Sequence, residues 1–193
     1  MASVVDKRQL GGKLRARLSY QGVWVIKTEE TSMAGLVVRS IMPDETAWIE
    51  QVVLEQLGGI PIVSPSGVHL PFSLSGFIAV QDGERVGLLN YQIADDACEI
   101  LTLASLSHRK GIGTALVNAA KNVAKQGKCR RLWVITTNDN LNALRFYQKR
   151  GFHLIGVHQN AMEQVRCLKP GVLLLGKDGI PLRDMIELQM LLS

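Results

Sequence analysis

Apolar and polar positions divide the chain into an alternating series of strands and helices. LVVRSIM at 36–42 is rich in β-branched residues and predicts a strand. Pro43 and Asp44 announce a helix start, and ETAWIEQVVLEQL keeps helical periodicity up to Gly58-Gly59. Trp48, Val52 and Leu57 are expected on its inner side. GGIPIVSPSGVHLPFSLSG at 58–76 is crowded with Gly, Pro and Ser and predicts a long irregular connection. FIAVQDGERVGLLNYQI then reads as strand, Asp-Gly turn, strand. Asp95-Asp96 makes another turn. ACEILTLASL at 97–106 is mostly apolar, as expected of a strand covered on both faces.

The second half is equally periodic. From Gly111 to Gln126, Ile112, Leu116, Ala119 and Val123 recur at core spacing, while Thr114, Asn118, Lys121 and Lys125 form the opposite stripe. Gly127 ends this helix. RRLWVITT is a strand, NDNLNALRFYQKR a shorter helix ended by Gly151, FHLIGVH a strand, and MIELQMLL at 185–192 the last strand. Residues 1–34 form an N-terminal extension, in which GVWVIKT can add a further strand; 35–193 make one domain. The expected class is mixed α/β (α+β), a sheet with helices on both faces.

Composition narrows the classes without naming one. The 193 residues are 47% hydrophobic, enough for a substantial core. No apolar run reaches the length of a membrane helix, and no signal peptide precedes the domain, so a soluble, cytoplasmic protein is expected. Cys98, Cys129 and Cys167 are scattered and show no zinc or disulfide spacing, so no metal is expected. The net charge of +5 favours anionic partners. A basic nucleic-acid-binding protein is one such reading, but no helix shows a concentrated basic face, and aromatics make up only 5%.

Candidate chemistry gathers at two turns. Ser107-His108-Arg109-Lys110-Gly111-Ile112-Gly113 joins a strand to a helix. The helix N-terminus offers unpaired N–H groups and positive dipole charge to phosphate oxygens. Glycines admit close approach, and Arg109 and Lys110 add charge. No GK[ST] follows, and Leu116 occupies the third position of G-x-G-x-x-G, which excludes both nucleotide signatures. Downstream, Asn140, Ala143 and Tyr147 share one helix face. Asn140 can cap that helix or bond an amide ligand, and Tyr147 can present a hydroxyl two turns on.

Together these segments resemble the GNAT superfamily of acyl-CoA-dependent N-acyltransferases. His108 to Gly113 is similar to the family's [QR]-x-x-G-x-[GA] motif, with His108 in the place of Gln or Arg. Asn140, Ala143, Phe146, Tyr147, Gly151 and Phe152 match N-x-x-A-x-x-(F/L)-Y-x-x-x-G-F. The tail GIPLRDMIELQMLL and the GVHLP loop resemble a bacterial subgroup.

The resemblance implies a central, mostly antiparallel, splayed sheet and acetyl transfer from acetyl-CoA to a primary amine. It also implies that Leu103, Ala104 and Ser105 pair with the pantetheine arm and that the amides of Arg109, Lys110, Gly111, Ile112, Gly113 and Thr114 hold the pyrophosphate. Asn140 then bonds the pantetheine or nearby groups of the cofactor, and Tyr147 meets the donor and protonates the leaving thiolate. Glu99 is a candidate base acting through water, or else a strand-end glutamate paired with a surface Arg or Lys. His69 is a second candidate base; His108 lies too close to the pyrophosphate. The 58–76 loop and the first helix fall in the acceptor-binding region, for a small-molecule or peptide amine. A homodimer is common in the family. A non-catalytic acyl-CoA-binding module is the alternative.

Overall fold

A computed structural model describes residues 35–107 and 111–193, together with the backbone of 15–18 and 24–27. Its central feature is a seven-stranded sheet. The strands are β3 (Leu36–Ser40), β6 (Ser75–Gln81), β7 (Glu84–Ala94), β8 (Ala97–Ser105), β9 (Arg131–Thr137), β10 (His153–His158) and β11 (Met185–Leu191), in the spatial order β10-β11-β9-β8-β7-β6-β3. Every pairing is antiparallel except β8 with β9. Two small hairpins stand apart from this sheet: β1 (Arg15–Leu18) with β2 (Trp24–Lys27), and β4 (Ile62–Ser64) with β5 (Gly67–His69). The strand expected in GVWVIKT is β2.

Helices cover both faces of the sheet. α2 (Ile112–Gln126) buries Ile112, Leu116, Val117, Ala120 and Ala124 against Leu89, Cys98, Ile100 and Leu132. α3 (Leu141–Gln148) joins the same core through Tyr147. α1 (Thr46–Gln56) buries Ile49, Val52 and Val53 against Ile78, Leu88 and Ala104 on the other face. Trp48 and Leu57 are partly buried there. α4 (Ala161–Leu168) packs Met162 and Val165 on Met185.

One expectation needs correction, and one element is added. The segment 58–76 is not irregular, because it holds the β4–β5 hairpin, a short 3-10 turn at Pro71–Ser73 and the first residues of β6. Strands of three residues closed over Pro65-Ser66 are too short to show periodicity. α4 was not anticipated, because its eight residues fall among the unassigned positions between β10 and β11.

The parallel pair is short, and the reason is local. β8 pairs with β9 only from Ala97↔Arg131 to Ile100↔Val134. On its other side β8 stays paired with β7 out to Ser105, but Asn90 faces Thr102 while Tyr91 faces Ile100, so Leu101 is an extra residue. A bulge of this kind bends its strand and increases the twist. β8 therefore parts from β9 at the bulge, and Leu101–Ser105 have no β9 partners.

A buried polar network holds the bulge. Thr102 Oγ1 accepts the Asn90 N–H at 2.8 Å and donates to Asn90 Oδ1 at 2.8 Å. Asn90 Nδ2 donates in turn to the Pro71 carbonyl at 3.2 Å. Thr102→Val leaves two buried polar groups unpaired. It is expected to cost about 1–3 kcal/mol in denaturant unfolding; Thr102→Ser, which keeps the hydroxyl, is expected to lose much less.

Candidate active site

The end of β8 leads directly into the glycine-rich turn. Leu103 is half-buried, Ala104 buried and Ser105 exposed, with Ser105 Oγ donating to the Ser107 carbonyl at 3.1 Å. His108, Arg109 and Lys110 lie outside the described residues. Gly111 caps α2 at φ 101°, a left-handed conformation that glycine adopts without strain. Its carbonyl accepts the Ala115 N–H at 2.9 Å, so the amides of Ile112, Gly113 and Thr114 belong to the unpaired first turn.

α3 is fastened to this turn. A Cβ on Gly113 would lie 3.1 Å from two ring carbons of Phe146. Arg150 stacks 3.5 Å above the Phe146 ring centroid, donates to the Phe146 carbonyl at 2.7 Å, and donates through Nε to Thr114 Oγ1 at 3.1 Å. Its guanidinium thus joins the C-terminal turn of α3, where a cation is favourable, to the N-terminal turn of α2, where it is not.

Asn140 caps α3. Its Oδ1 accepts the Ala143 N–H at 3.3 Å, with Lys177 Nζ at 3.4 Å. Asp139 beside it is buried and accepts the Lys177 N–H at 2.8 Å, tying the 176–178 segment to the start of α3. Tyr147 is 5% exposed and makes edge-to-face contacts with Phe146 and Phe152. Burial holds its phenol above the usual tyrosine range, so it stays protonated at neutral pH.

Glu99 points the other way. Its neighbours Cys98 and Ile100 enter the core that contains Tyr147, so strand alternation sends Glu99 to the face carrying α1, the β4–β5 hairpin and α4. The carboxylate is 2% exposed. Oε2 accepts a hydrogen bond from Ser66 Oγ, whereas Oε1 is buried with no hydrogen-bond partner among the described residues. Its partner is therefore a hydroxyl of the hairpin rather than a surface cation. Burial raises the Glu99 carboxyl above its ordinary range; Ser66 and Ser64 pull it back, Glu187 raises it and Arg131 lowers it. His69 Nε2 lies 3.0 Å from Ser66 Oγ, and burial lowers its pKa, which favours the neutral imidazole. The two candidate bases thus belong to one network.

Next to this network a cavity of about 270 Å³ opens between the hairpin and α4, lined by Val63, Ser64, His158, Gln164, Val165 and Met185 among others. Glu187 accepts from Arg131 Nη1 at 3.1 Å and pairs with His158 Nε2 at 3.0 Å at this side of the sheet. Among the described residues no group of three His, Cys, Asp or Glu side chains could hold a metal ion, and no helix is long and apolar enough to cross a membrane.

Glu99, His69, Gly111, Gly113, Thr114, Asn140 and Tyr147 stand out in the sequence pattern. The structure adds Ser66, Asn90, Thr102 and Arg150, which the pattern does not single out. The first depends on a hairpin too short to show periodicity, the next two on a bulge that leaves no local signature. Arg150 sits within the second motif, but at a position the motif leaves unspecified.

Comparison with known proteins agrees with this geometry. Residues 64–152 match the model of the Acetyltransferase (GNAT) family. The chain is 45% identical over 122 residues to YdhI of Bacillus subtilis (strain 168), spanning 63% of this chain and 76% of that protein. It is 41% identical over 128 residues to YxbD of the same organism, spanning 66% and 80%. In fold it resembles an IAA acetyltransferase from Bacillus cereus ATCC 14579 (TM-score 0.64, 23% identity, covering 81% of this chain and 99% of that one). It also resembles a GNAT family acetyltransferase from Elizabethkingia anophelis with acetyl-CoA bound (TM-score 0.60, 20% identity, covering 82% and 99%). With its matched segment running from the β4–β5 hairpin through the Gly111 turn to Phe152, the chain belongs to the GNAT acetyltransferase family.

Proposed function

We propose that the protein transfers an acetyl group from acetyl-CoA to a primary amine, by direct attack while both substrates are bound. The observation that carries this reading is the parting of β8 from β9 at Leu101, between a buried carboxylate on one face and a buried phenol on the other.

The parted edge and the turn that follows suit a donor with an amide-bearing arm and a pyrophosphate. Backbone groups of Leu101–Ser105 on the β9 side have no strand partner, so Leu103, Ala104 and Ser105 can pair with the arm. The amides from Arg109 to Thr114 would hold the pyrophosphate at the helix N-terminus. Arg150 favours an anion there, because its charge otherwise sits beside the positive end of α2. Asn140, its Oδ1 committed to the cap, would meet the arm through its amide nitrogen. The E. anophelis relative, with acetyl-CoA bound in the same fold, supports the assignment.

The thioester, when bound, supplies the acetyl group. The residues of this chain manage protons. An ammonium must lose a proton before it can attack, and Glu99, buried and therefore acting through water, would be the acceptor. Its raised pKa brings the carboxylate nearer to the basicity the step needs. Tyr147 keeps its proton at neutral pH and can donate it to the leaving thiolate. The cavity beside Ser64 lies on the same side of the sheet as Glu99 without being lined by it, and is where the amine would bind.

Two results test this reading. Excess acetyl-CoA is expected to raise the thermal midpoint of the native protein and of Gly111→Asn but not of Gly111→Glu, which puts a carboxylate in the anion site. A panel of an alkylamine, a polyamine, an α-amino acid and a peptide N-terminus is then expected to give amine-dependent release of CoA thiol. Binding without release from any of them would make the protein a non-catalytic acyl-CoA binder, and no midpoint shift in folded native protein would remove the donor itself.

The buried carboxyl also has a stability signature. A carboxyl whose folded pKa is raised binds more protons in the native than in the unfolded state between the two values. Its contribution is fully present below the unfolded value, near 4.5, and is lost as pH rises through the folded one. The stability of Glu99→Gln relative to the native protein is therefore expected to increase across that window and level off above it, as measured by urea unfolding from pH 4 upward.

A further inference from the structure

The β4–β5 hairpin touches Glu99 through a hydrogen-bond chain whose direction can be worked out proton by proton. Ser66 has one hydroxyl proton. With Glu99 ionised, that proton goes to Oε2, because a carboxylate only accepts. The two lone pairs of Ser66 Oγ then face two other groups, His69 Nε2 at 3.0 Å and Ser64 Oγ at 2.8 Å, and both must donate. Ser64 Oγ in turn accepts the Ser66 N–H at 3.2 Å. The hydrogen bonds at Ser66 Oγ therefore point toward the carboxylate, with the His69 proton on Nε2, which also lies 3.4 Å from Ser64 Oγ. Chains of this kind polarise one another inside a protein.

We propose that Ser66, held by His69 and Ser64, is a positioning residue for Glu99: it occupies Oε2, stabilises the carboxylate, and leaves Oε1 as the proton-accepting atom. This rests on the reading of Glu99 as the base. It assigns a chemical role to a hairpin that otherwise only borders the cavity beside α4. The turn geometry serves the purpose: Ser64 and Gly67 are the last paired residues, so Ser66 sits in the two-residue turn at the hairpin tip. Gly67 follows at φ 137°, a conformation that a side chain would strain.

The charged groups facing Glu99 come from three elements. Arg131 on β9 and Glu187 on β11 act on it in opposite senses, and His69 faces it from the hairpin through Ser66. His158 on β10 is paired with Glu187, so its protonation is removed as a variable by working in a His158→Gln background.

The test is a carboxyl titration of the full chain labelled with 13Cδ-glutamate, with the Glu99 resonance assigned by its loss in Glu99→Gln. Removing a hydrogen bond to the charged form is expected to raise the Glu99 midpoint by about one pH unit or more in Ser66→Ala. A smaller rise is expected in His69→Ala, and a near-native midpoint in Ser66→Thr, which keeps the hydroxyl and also controls for folding. An unchanged or lowered midpoint in folded Ser66→Ala would overturn the proposal. The readout needs no acceptor amine, so the two readings fail separately. A raised midpoint in a protein without amine-dependent turnover supports the hold on Glu99 and overturns only its role as base.

Discussion

The hydroxyl of Thr102 secures the bulge in β8. Where Leu101 enters β8 as an extra residue, the Asn90 N–H meets Thr102 Oγ1. That bond and its return to Asn90 Oδ1 make the bulge a satisfied arrangement rather than a defect in the ladder. The bend parts β8 from β9 immediately beyond Ile100↔Val134. An unpaired strand edge in the middle of a sheet would ordinarily be a liability. Here it lies between two helix-covered faces and precedes the Gly111 turn in the chain, the combination on which the proposed binding of a donor with an amide-bearing arm and a pyrophosphate rests.

The same bend separates the proton-handling groups. Tyr147 is packed among Phe146, Phe152 and the α2 core, where burial keeps its proton on. Glu99 emerges on the opposite face, where burial makes the carboxylate more basic and the hairpin hydroxyls limit that effect. A phenol that keeps its proton on one face and a buried carboxylate on the other are the features on which the proposed amine acylation rests. α1 and α2 pack on opposite faces of the sheet, α1 on Ala104 of β8 and α2 on Cys98 and Ile100 of the same strand.

Much of this was legible in the sequence, and the physical reasons are plain. Long elements with one apolar face, such as α2, announce themselves by periodicity, and glycine at the start of that helix announces the close approach it permits. Asn140 was visible as the cap of α3, a role the structure gives it through the Ala143 N–H. Ser66, Asn90 and Thr102 were not visible, because their roles depend on contacts across 33 and 12 residues of chain that no local pattern encodes. Glu99 drew attention as a carboxylate in an apolar strand, but only the packing shows that its partner is a serine and that one oxygen is left over.

The proposed function depends on the bulge opening β8 for pairing with the acyl donor. Amide hydrogen exchange, followed residue by residue over Leu101–Ser105 with and without saturating acetyl-CoA, tests it most directly. The account predicts that the amides in this stretch turned toward β9 exchange more slowly when acetyl-CoA is bound, while those of the β3–β6 pairing stay unchanged. Tight acetyl-CoA binding that leaves Leu101–Ser105 exchanging at the same rate would contradict it and place the donor elsewhere on the protein.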